Sequence, residues 1–446
     1  MYHPDAFDPT RPTGTWWAES AGPPPADDGV PAADADCDVA IVGGGFTGLW
    51  AARRLATAHG REVRVLEAGP LGWGASGRNG GFACLGGTAL SYDGIIARVG
   101  LEEARRYFRL QREALACVRR MAGLPDDGLG PGELEMAHRP GRVRDLAARQ
   151  RVLKEAFGVE AVLHPREELA QLGMAGPCFH AALHVPIGFP VQPVELVHRL
   201  ALAARAAGAL LHTRTPVTEI VRENGRWRVQ TPGACLRARQ VILATNGYGR
   251  DGPPGATAAA MHGRMLPVMS NILITRPLTE AERAEAGWTT THMAYDSRYL
   301  LHYFRLLPDG RFLFGGRGGF DAAATGLPRA RAWLTREFRR LFPAWSGVEI
   351  THFWRGFACL AVDRSVHVGA LDDERTLWFG GGYHGNGIGM SAAVGPLLAD
   401  LAAGADPATT VPALLQGPPP RFPFPRLRRL TLRAAYLWYG LRDALP

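Results

Sequence analysis

Residues 37–48 read CDVAIVGGGFTG, and this stretch decides the fold. Its first six residues are typical of a short buried strand, and residues 49–59 have helical periodicity. Between them, Gly43, Gly45 and Gly48 have the G-x-G-x-x-G spacing with which a strand, a glycine turn and a helix bind a dinucleotide. The amino terminus of that helix offers free N–H groups to a pyrophosphate.

A second predicted strand, residues 62–66, is followed directly by an acidic residue, Glu67. At this distance from the glycine turn, a carboxylate accepts hydrogen bonds from a ribose diol and disfavours the extra phosphate of NADP. NAD and FAD both stay open at this point. The residues of this unit predicted to contact the dinucleotide are Gly43, Gly45, Phe46, Thr47, Gly48, Glu67 and Ala68.

Residues 69–81, GPLGWGASGRNGG, form a glycine-rich loop directly after that strand. Such a loop is expected where backbone passes very close to another group. Ser76 and Arg78 are predicted to hold a pyrophosphate, and Asn79, Gly80 and Gly81 to line a flat ring. The alternative is a flexible linker, although Trp73 and Arg78 are poor linker residues.

These motifs together resemble the D-amino-acid oxidase and glycine oxidase superfamily of FAD enzymes, and within it the γ-glutamylputrescine oxidase-like branch. The resemblance covers about residues 35–405, in family order. It includes Val217, whose backbone contacts adenine in relatives, and Ala244 and Thr245 in the turn that closes the nucleotide site. It implies FAD and a mixed α/β fold, in which a Rossmann-type FAD-binding domain is interleaved with a sheet-based substrate domain.

The resemblance divides the chain into segments. Residues 35–95, 190–262 and 352–405 are predicted to form the FAD-binding domain, and residues 96–189 and 263–351 the substrate domain. Residues 1–34 are predicted to be an amino-terminal arm, and residues 406–446 a carboxy-terminal tail with a basic amphipathic helix.

A single dinucleotide fingerprint argues against a two-nucleotide reductase and so favours FAD. A late glycine loop, residues 380–389, runs into a helix of small residues and also favours FAD. The following helix would place its positive amino terminus at the flavin and stabilise the charge gained on reduction. The alternative is a helix cap that serves close packing only. The residues predicted to contact flavin here are Gly382, Gly385, Asn386, Gly387 and Ile388.

Flavin amine oxidation needs a neutral amine placed with its C–H against the ring, and no dedicated strong base. Tyr383 and His384, beside the predicted flavin loop, and Tyr303 and Arg305, on a predicted strand, are the catalytic candidates. Relatives that act on amino acids bind the carboxylate through an arginine. The candidates for that contact are Arg305, Arg317 and Arg355.

Cys359 lies near the position where the sarcosine oxidase branch of the superfamily bonds a cysteine to the flavin. The γ-glutamylputrescine branch has no such cysteine, and free cysteines are commonly buried as small hydrophobic residues. We therefore expect non-covalent FAD, with a covalent link through Cys359 as the alternative.

Composition excludes several classes. Lys154 is the one lysine among 50 basic residues, and the net charge of +8 comes from arginines spread over the chain, without the basic stripe of a nucleic-acid-binding protein. Six widely spaced cysteines argue against a zinc cluster and a disulfide framework, and we expect no metal. No signal peptide and no membrane span are evident, so we expect a cytoplasmic location. The oligomeric state stays open.

The sequence therefore predicts an FAD-dependent oxidoreductase that oxidises a C–N bond of a small amine or amino-acid derivative. The imine would hydrolyse to an aldehyde or keto acid plus ammonia or an amine, and molecular oxygen would become hydrogen peroxide. One alternative is a D-amino-acid dehydrogenase-like enzyme that passes electrons to a quinone. Others are a flavin-binding subunit without turnover and an NAD-dependent dehydrogenase.

Overall fold

The structure, a computed structural model, describes residues 2–126, 128–249, 255–319 and 322–444. The strands are β1 (Ala35–Val42), β2 (Val63–Leu66), β3 (Phe82–Cys84), β4 (Glu133–Met136), β5 (Val162–Pro165), β6 (Ala181–Val185), β7 (Gly188–Pro190), β8 (Leu210–His212), β9 (Glu219–Glu223), β10 (Arg226–Gln230), β11 (Cys235–Leu243), β12 (Leu266–Pro277), β13 (Met293–Asp296), β14 (His302–Leu306), β15 (Arg311–Arg317), β16 (Ile350–Leu360), β17 (His367–Ala370) and β18 (Leu377–Gly381). The helices are α1 (Trp16–Ser20), α2 (Phe46–His59), α3 (Tyr92–Val99), α4 (Leu101–Met121), α5 (Arg142–Phe157), α6 (Arg166–Leu169), α7 (Pro193–Ala206), α8 (Ala256–Met261), α9 (Glu280–Ala286), α10 (Leu327–Leu341), α11 (Gly387–Ala402), α12 (Pro407–Thr410) and α13 (Arg428–Ala444).

The first sheet contains the strand that precedes the glycine turn. Its order is β17-β18-β11-β1-β2-β8, with β10 paired to β11 and β9 to β10. Because β1 pairs in parallel with both β2 and β11, the carboxyl ends of these strands meet at one edge. Gly43, Glu67 and Ala244 follow the three strands there. Ligands of doubly wound sheets bind at this edge.

The second sheet has the order β16-β12-β15-β14-β13-β4-β6-β5. An aromatic core that includes Trp288, Phe304, Phe312 and Phe338 packs against it and is fully buried. The third sheet pairs β3 with β7, and β3 directly follows the glycine-rich loop of residues 69–81. The mixed α/β fold class is thus as predicted.

The strands of the two large sheets alternate along the chain. The predicted domain boundary between residues 351 and 352 falls inside β16, which pairs with β12 of the second sheet. Residues 352–360 are therefore part of the second sheet, although the sequence grouped them with the FAD-binding segments. The division into two domains stays a prediction.

Both terminal segments pack on the rest of the chain. In the amino-terminal arm, Trp17 is buried and its indole N–H donates to the main-chain oxygen of Asn79 at 2.7 Å. At the other end, the carboxylate of Asp443 in α13 accepts hydrogen bonds from the main-chain N–H groups of Tyr299 and Leu300, both at 3.0 Å. Within the described residues, no helix combines the length and apolar character needed to cross a membrane.

Candidate active site

A cavity of about 1060 Å³ opens at the carboxyl edge of the first sheet and extends to the second sheet. This volume is slightly above the range of about 300–1,000 Å³ that is usual for small-molecule sites. The cavity is lined by most of the predicted cofactor residues, namely Gly43, Gly45, Phe46, Thr47, Glu67, Ala68, Ser76, Arg78, Asn79, Gly80, Val217, Ala244, Thr245, Cys359, Gly385, Asn386, Gly387 and Ile388. Gly48, Gly81 and Gly382 do not line it.

The glycine turn after β1 is shaped for close approach. Gly43 has a φ of +110°, which L side chains rarely adopt. At Gly48, a Cβ atom would lie 2.0 Å from the main-chain oxygen of Gly43, so only hydrogen fits there. At Gly45, a Cβ would lie 2.8 Å from the Ser76 hydroxyl, which accepts a hydrogen bond from the main-chain N–H of Phe46 at 3.0 Å. The turn thus presents bare backbone to the cavity.

Glu67 follows β2 and its carboxylate faces the same turn. It accepts hydrogen bonds from the main-chain N–H groups of Gly44 at 2.7 Å and Gly69 at 2.9 Å. Burial raises the pKa of this carboxyl, while the hydrogen bonds from Gly69 and Gly44 oppose the rise. The carboxylate is therefore held against the glycine turn, and its contact with a ribose hydroxyl stays a prediction.

The loop of residues 69–81 is held in place by its own side chains. Arg78 donates through Nε to the main-chain oxygen of Trp73 at 2.7 Å, and its guanidinium lies 4.5 Å from the Trp73 ring centre. The Asn79 amide nitrogen donates to the main-chain oxygen of Ser76 at 2.8 Å, and the Asn79 amide oxygen accepts from the main-chain N–H of Gly81 at 2.8 Å. The loop is therefore an ordered wall rather than a linker.

The late glycine loop joins β18 to α11 and also faces the cavity. Tyr383 lines the cavity, and its hydroxyl forms a hydrogen bond of 2.6 Å with the Thr47 hydroxyl of α2. Burial raises the pKa of Tyr383 well above its usual value. No side chain caps the amino terminus of α11, where Gly387 and Ile388 line the cavity. Helix N–H groups without intrahelical partners therefore lie at this wall.

His384 and Arg305 are not among the cavity-lining residues. The His384 ring nitrogen Nε2 lies 3.3 Å from the main-chain oxygen of Ser365, and burial lowers the pKa of the ring to about 4. The Arg305 guanidinium donates to the main-chain oxygens of Gly80 at 3.1 Å and Val191 at 2.8 Å. Arg305 thus supports the wall from behind, and burial lowers the pKa of its guanidinium to about 9.

Tyr303 and Arg317 of the second sheet do line the cavity. The Tyr303 hydroxyl forms a hydrogen bond of 2.9 Å with the Ser270 hydroxyl, and burial raises the pKa of Tyr303 to about 12. Arg317 donates to the main-chain oxygen of His384 at 2.7 Å, and burial lowers the pKa of its guanidinium. The third arginine candidate, Arg355, does not line the cavity and donates to the main-chain oxygen of Ala323 at 2.8 Å.

The structure adds a polar group that the sequence did not single out, formed by Glu133, Glu135, Arg149 and Tyr295 on the cavity wall. The alternating positions of Glu133 and Glu135 on one strand are the one local signal for it, because they put both carboxylates on the same face. In the portion of the chain that the structure describes, no three His, Cys, Asp or Glu side chains are grouped as a metal site requires.

A dinucleotide fingerprint, a carboxylate after the second strand and a second glycine loop lie on one cavity, as in the class of dinucleotide-binding oxidoreductases. Residues 38–401 match the DAO family, described as FAD dependent oxidoreductase. The chain belongs to this family of FAD-dependent oxidoreductases.

Two relatives extend over nearly the whole chain. A probable oxidoreductase OrdL of Rhizobium meliloti is 32% identical over 412 residues, which are 91% of this chain and 92% of the relative. A gamma-glutamylputrescine oxidoreductase of Escherichia coli is 30% identical over 416 residues, with 92% of this chain and 93% of the relative covered.

Solved structures support the same fold. A glycine oxidase of Geobacillus kaustophilus superposes with a TM-score of 0.64 over 86% of this chain and 100% of that chain, at 22% identity.

The cavity residues fit FAD. The turn at Gly43 to Gly48 leaves room for a pyrophosphate against backbone, and Glu67 holds a carboxylate beside it. Ser76 faces the same turn, and Tyr383 and Asn386 line the wall that a flavin would meet. FAD is the cofactor of the family. Cys359 lies in the cavity wall, and non-covalent binding of FAD stays the prediction, with a covalent link through Cys359 as the alternative.

Proposed function

We propose that the chain is an FAD-dependent oxidase of a small amine or amino-acid derivative. The observation that carries the proposal is one cavity lined both by the dinucleotide-binding edge of the first sheet and by Tyr303 and Arg317 of the second. The similarity to a gamma-glutamylputrescine oxidoreductase supports an amine as substrate.

When bound, FAD would supply the hydride acceptor and the route of the electrons to oxygen. The residues of this chain then bind and orient the substrate. Tyr303, with its raised pKa, stays a neutral phenol at neutral pH and offers a hydrogen-bonding hydroxyl rather than a base. The uncapped amino terminus of α11 provides a positive dipole end for the negative charge that develops during reduction.

We assign no proton transfer to His384, although the sequence made it a catalytic candidate. Its ring is neutral at neutral pH because its pKa is lowered, and it contacts Ser365 outside the cavity lining. Its main-chain oxygen instead accepts the hydrogen bond from Arg317. We therefore propose Arg317, ahead of Arg305, as the arginine that a substrate carboxylate would meet.

We propose molecular oxygen as the acceptor and the cytoplasm as the location. The test is turnover under air with the purified holoenzyme, measuring hydrogen peroxide and the aldehyde or keto acid together. We expect equal amounts of the two products. Reduction of an artificial dye without any peroxide would contradict the oxidase proposal.

A second candidate is a dehydrogenase that passes electrons to a quinone. It is favoured by α13, which leaves Leu437 at 73% and Trp438 at 59% exposure beside basic residues such as Arg433. Basic amphipathic helices of this kind bind membrane surfaces, and quinones dissolve in the apolar interior of the same membrane. Dye reduction with no peroxide would support this candidate.

A further inference from the structure

The cavity wall formed by β4, β13 and α5 carries one guanidinium and two carboxylates. Arg149 donates to Glu133 Oε1 at 3.1 Å and also to the Glu135 carboxylate. The Tyr295 hydroxyl accepts from Arg149 at 2.7 Å and donates to Glu133 Oε1 at 3.2 Å. When both carboxylates are ionised, the cluster carries two negative groups and one positive group. We call these four residues the Glu133 cluster.

Among the described residues, one carboxylate oxygen of Glu133 has no donor within hydrogen-bonding distance. The residue is 1% exposed, and within the described part of the chain its Oε2 atom has no hydrogen-bond partner. Burial raises the pKa of Glu133, and the Arg149 charge and the Cys84 thiol oppose the rise. A buried carboxylate oxygen without a donor is costly, so a donor supplied by a ligand would stabilise it.

The Glu133 carboxylate lies close to the predicted flavin wall. The Cys84 thiol neighbours the Glu133 carboxylate and donates to the Asn386 amide oxygen at an S–O distance of 3.6 Å. Asn386 belongs to the late glycine loop that leads into α11. A molecule in the cavity can therefore meet the flavin wall and the Glu133 cluster together.

The other charged groups of the cavity do not neutralise this end. Asp93 and Asp145 line it as well, and Asp145 pairs with Arg142 at 2.8 Å. The two lining arginines besides Arg149 make their hydrogen bonds elsewhere, Arg78 to the main-chain oxygen of Trp73 and Arg317 to that of His384. The charged groups that act on the Glu133 carboxyl are Arg149 and Glu135. The Glu133 end therefore favours a cation.

We propose that the Glu133 cluster binds a second ammonium group of the substrate, one that is not oxidised. The substrate is then a diamine, or a derivative that keeps two basic nitrogens. An ammonium group has three N–H donors and accepts nothing, so it matches acceptors that lack a donor. The inference rests on the proposed function, because it assumes that the amine at the flavin is the one oxidised.

The test measures binding without turnover. Calorimetric titration of the dithionite-reduced holoenzyme under anaerobic conditions compares putrescine with butylamine, which lacks the second ammonium group. Since hydrogen bonds to charged groups are worth about ten- to a hundredfold in affinity, we expect putrescine to bind at least about tenfold more tightly. Glu133→Gln should lose this preference while its butylamine affinity stays within about twofold.

Glu113→Gln is the matched control, because Glu113 is an exposed glutamate of α4 outside the cavity lining. It should behave as the wild type. Glu135→Gln should weaken putrescine binding in the same direction as Glu133→Gln. Flavin content and thermal unfolding establish that each variant is folded.

The outcomes separate the two claims. No putrescine preference in the wild type, or an unchanged preference in folded Glu133→Gln, overturns the inference. Flavin reduction by amines in that case leaves the proposed function standing. The opposite case is a putrescine preference that depends on Glu133 in a protein whose oxidised flavin no amine reduces. That result would support the cation site and contradict the proposed function.

Discussion

The Arg317 guanidinium donates a hydrogen bond to the main-chain oxygen of His384, at an N–O distance of 2.7 Å. Arg317 ends β15 of the second sheet, and His384 lies in the glycine loop that leads from the first sheet into α11. This contact therefore joins the second sheet to the loop that is predicted to meet the flavin. It is also the point where the proposed function depends most on a single side chain.

Replacing Arg317 should impair turnover more than folding. Arg317→Met keeps the length of the side chain but removes the hydrogen bond and the charge. We expect kcat/KM to fall at least about tenfold, because Arg317→Met removes the hydrogen bond that the charged guanidinium would make to the substrate carboxylate. A hydrogen bond of this kind contributes about 1.5–3 kcal/mol. Steady-state kinetics check this, with Arg336→Met on the exposed face of α10 as control. Wild-type kinetics in folded Arg317→Met would contradict the role given to Arg317.

Gly48→Ala should prevent proper loading with FAD. The new Cβ would lie 2.0 Å from the main-chain oxygen of Gly43, so the turn or the helix must shift. Overpacking of this kind costs about 1–3 kcal/mol, and the shift distorts the phosphate-binding turn. We expect less than about half of the wild-type flavin absorbance per protein and a lower Tm.

Gly347→Ala is the control for this variant, since a Cβ at Gly347 meets nothing within 4 Å. It should keep full flavin content. A stoichiometric flavin content in Gly48→Ala would count against the placement of the pyrophosphate at this turn.

Asp296 should contribute stability that is lost in acid. Burial alone would raise the pKa of Asp296, but the charges and hydrogen bonds of His302 and Arg298 lower it to about 2. A carboxyl whose pKa is lower in the folded state than in the unfolded state stabilises the fold above the unfolded value near 4. That stability disappears as the pH falls from about 4 to about 2.

The free energy of unfolding measured against pH tests this. The difference between wild type and Asp296→Asn should be about 2 kcal/mol larger at pH 6 than at pH 2. If wild type and Asp296→Asn differ by the same unfolding free energy at both pH values, the ionised Asp296 carboxylate does not stabilise the fold and the prediction is wrong.

Cys359 is buried in the cavity wall, and we expect the flavin to be bound without a covalent bond to it. Precipitation of the yellow holoenzyme with trichloroacetic acid should give a colourless pellet and a yellow supernatant. A yellow pellet that becomes colourless in Cys359→Ser would instead establish the covalent link.

The nucleotide-binding edge could be predicted because its determinants are local. The spacing of Gly43, Gly45 and Gly48 and the acidic residue after the next strand follow from a single strand–helix–strand unit. In the structure Gly43, Gly45 and Glu67 line the cavity. The fold class followed from the family resemblance that this unit and the two glycine loops carry.

The substrate side could not be predicted in the same way. Arg305 and Arg317 stand on neighbouring strands of one sheet, and only the packing shows that Arg305 supports the loop at Gly80 while Arg317 lines the cavity. Glu133 and Arg149 come from a strand and a helix that meet only in the folded chain. His384 has a φ of +52°, a local turn that periodicity does not reveal.

Anaerobic reduction of the bound flavin tests the central claim most directly. The purified holoenzyme is mixed without oxygen with putrescine derivatives, sarcosine, glycine, and D- and L-amino acids, and the flavin absorbance is followed. We predict that at least one of these amines bleaches the flavin and that admitted air restores the colour with formation of hydrogen peroxide. A stable yellow protein that none of the amines bleaches would contradict an amine oxidase and indicate a flavin-binding protein without this turnover.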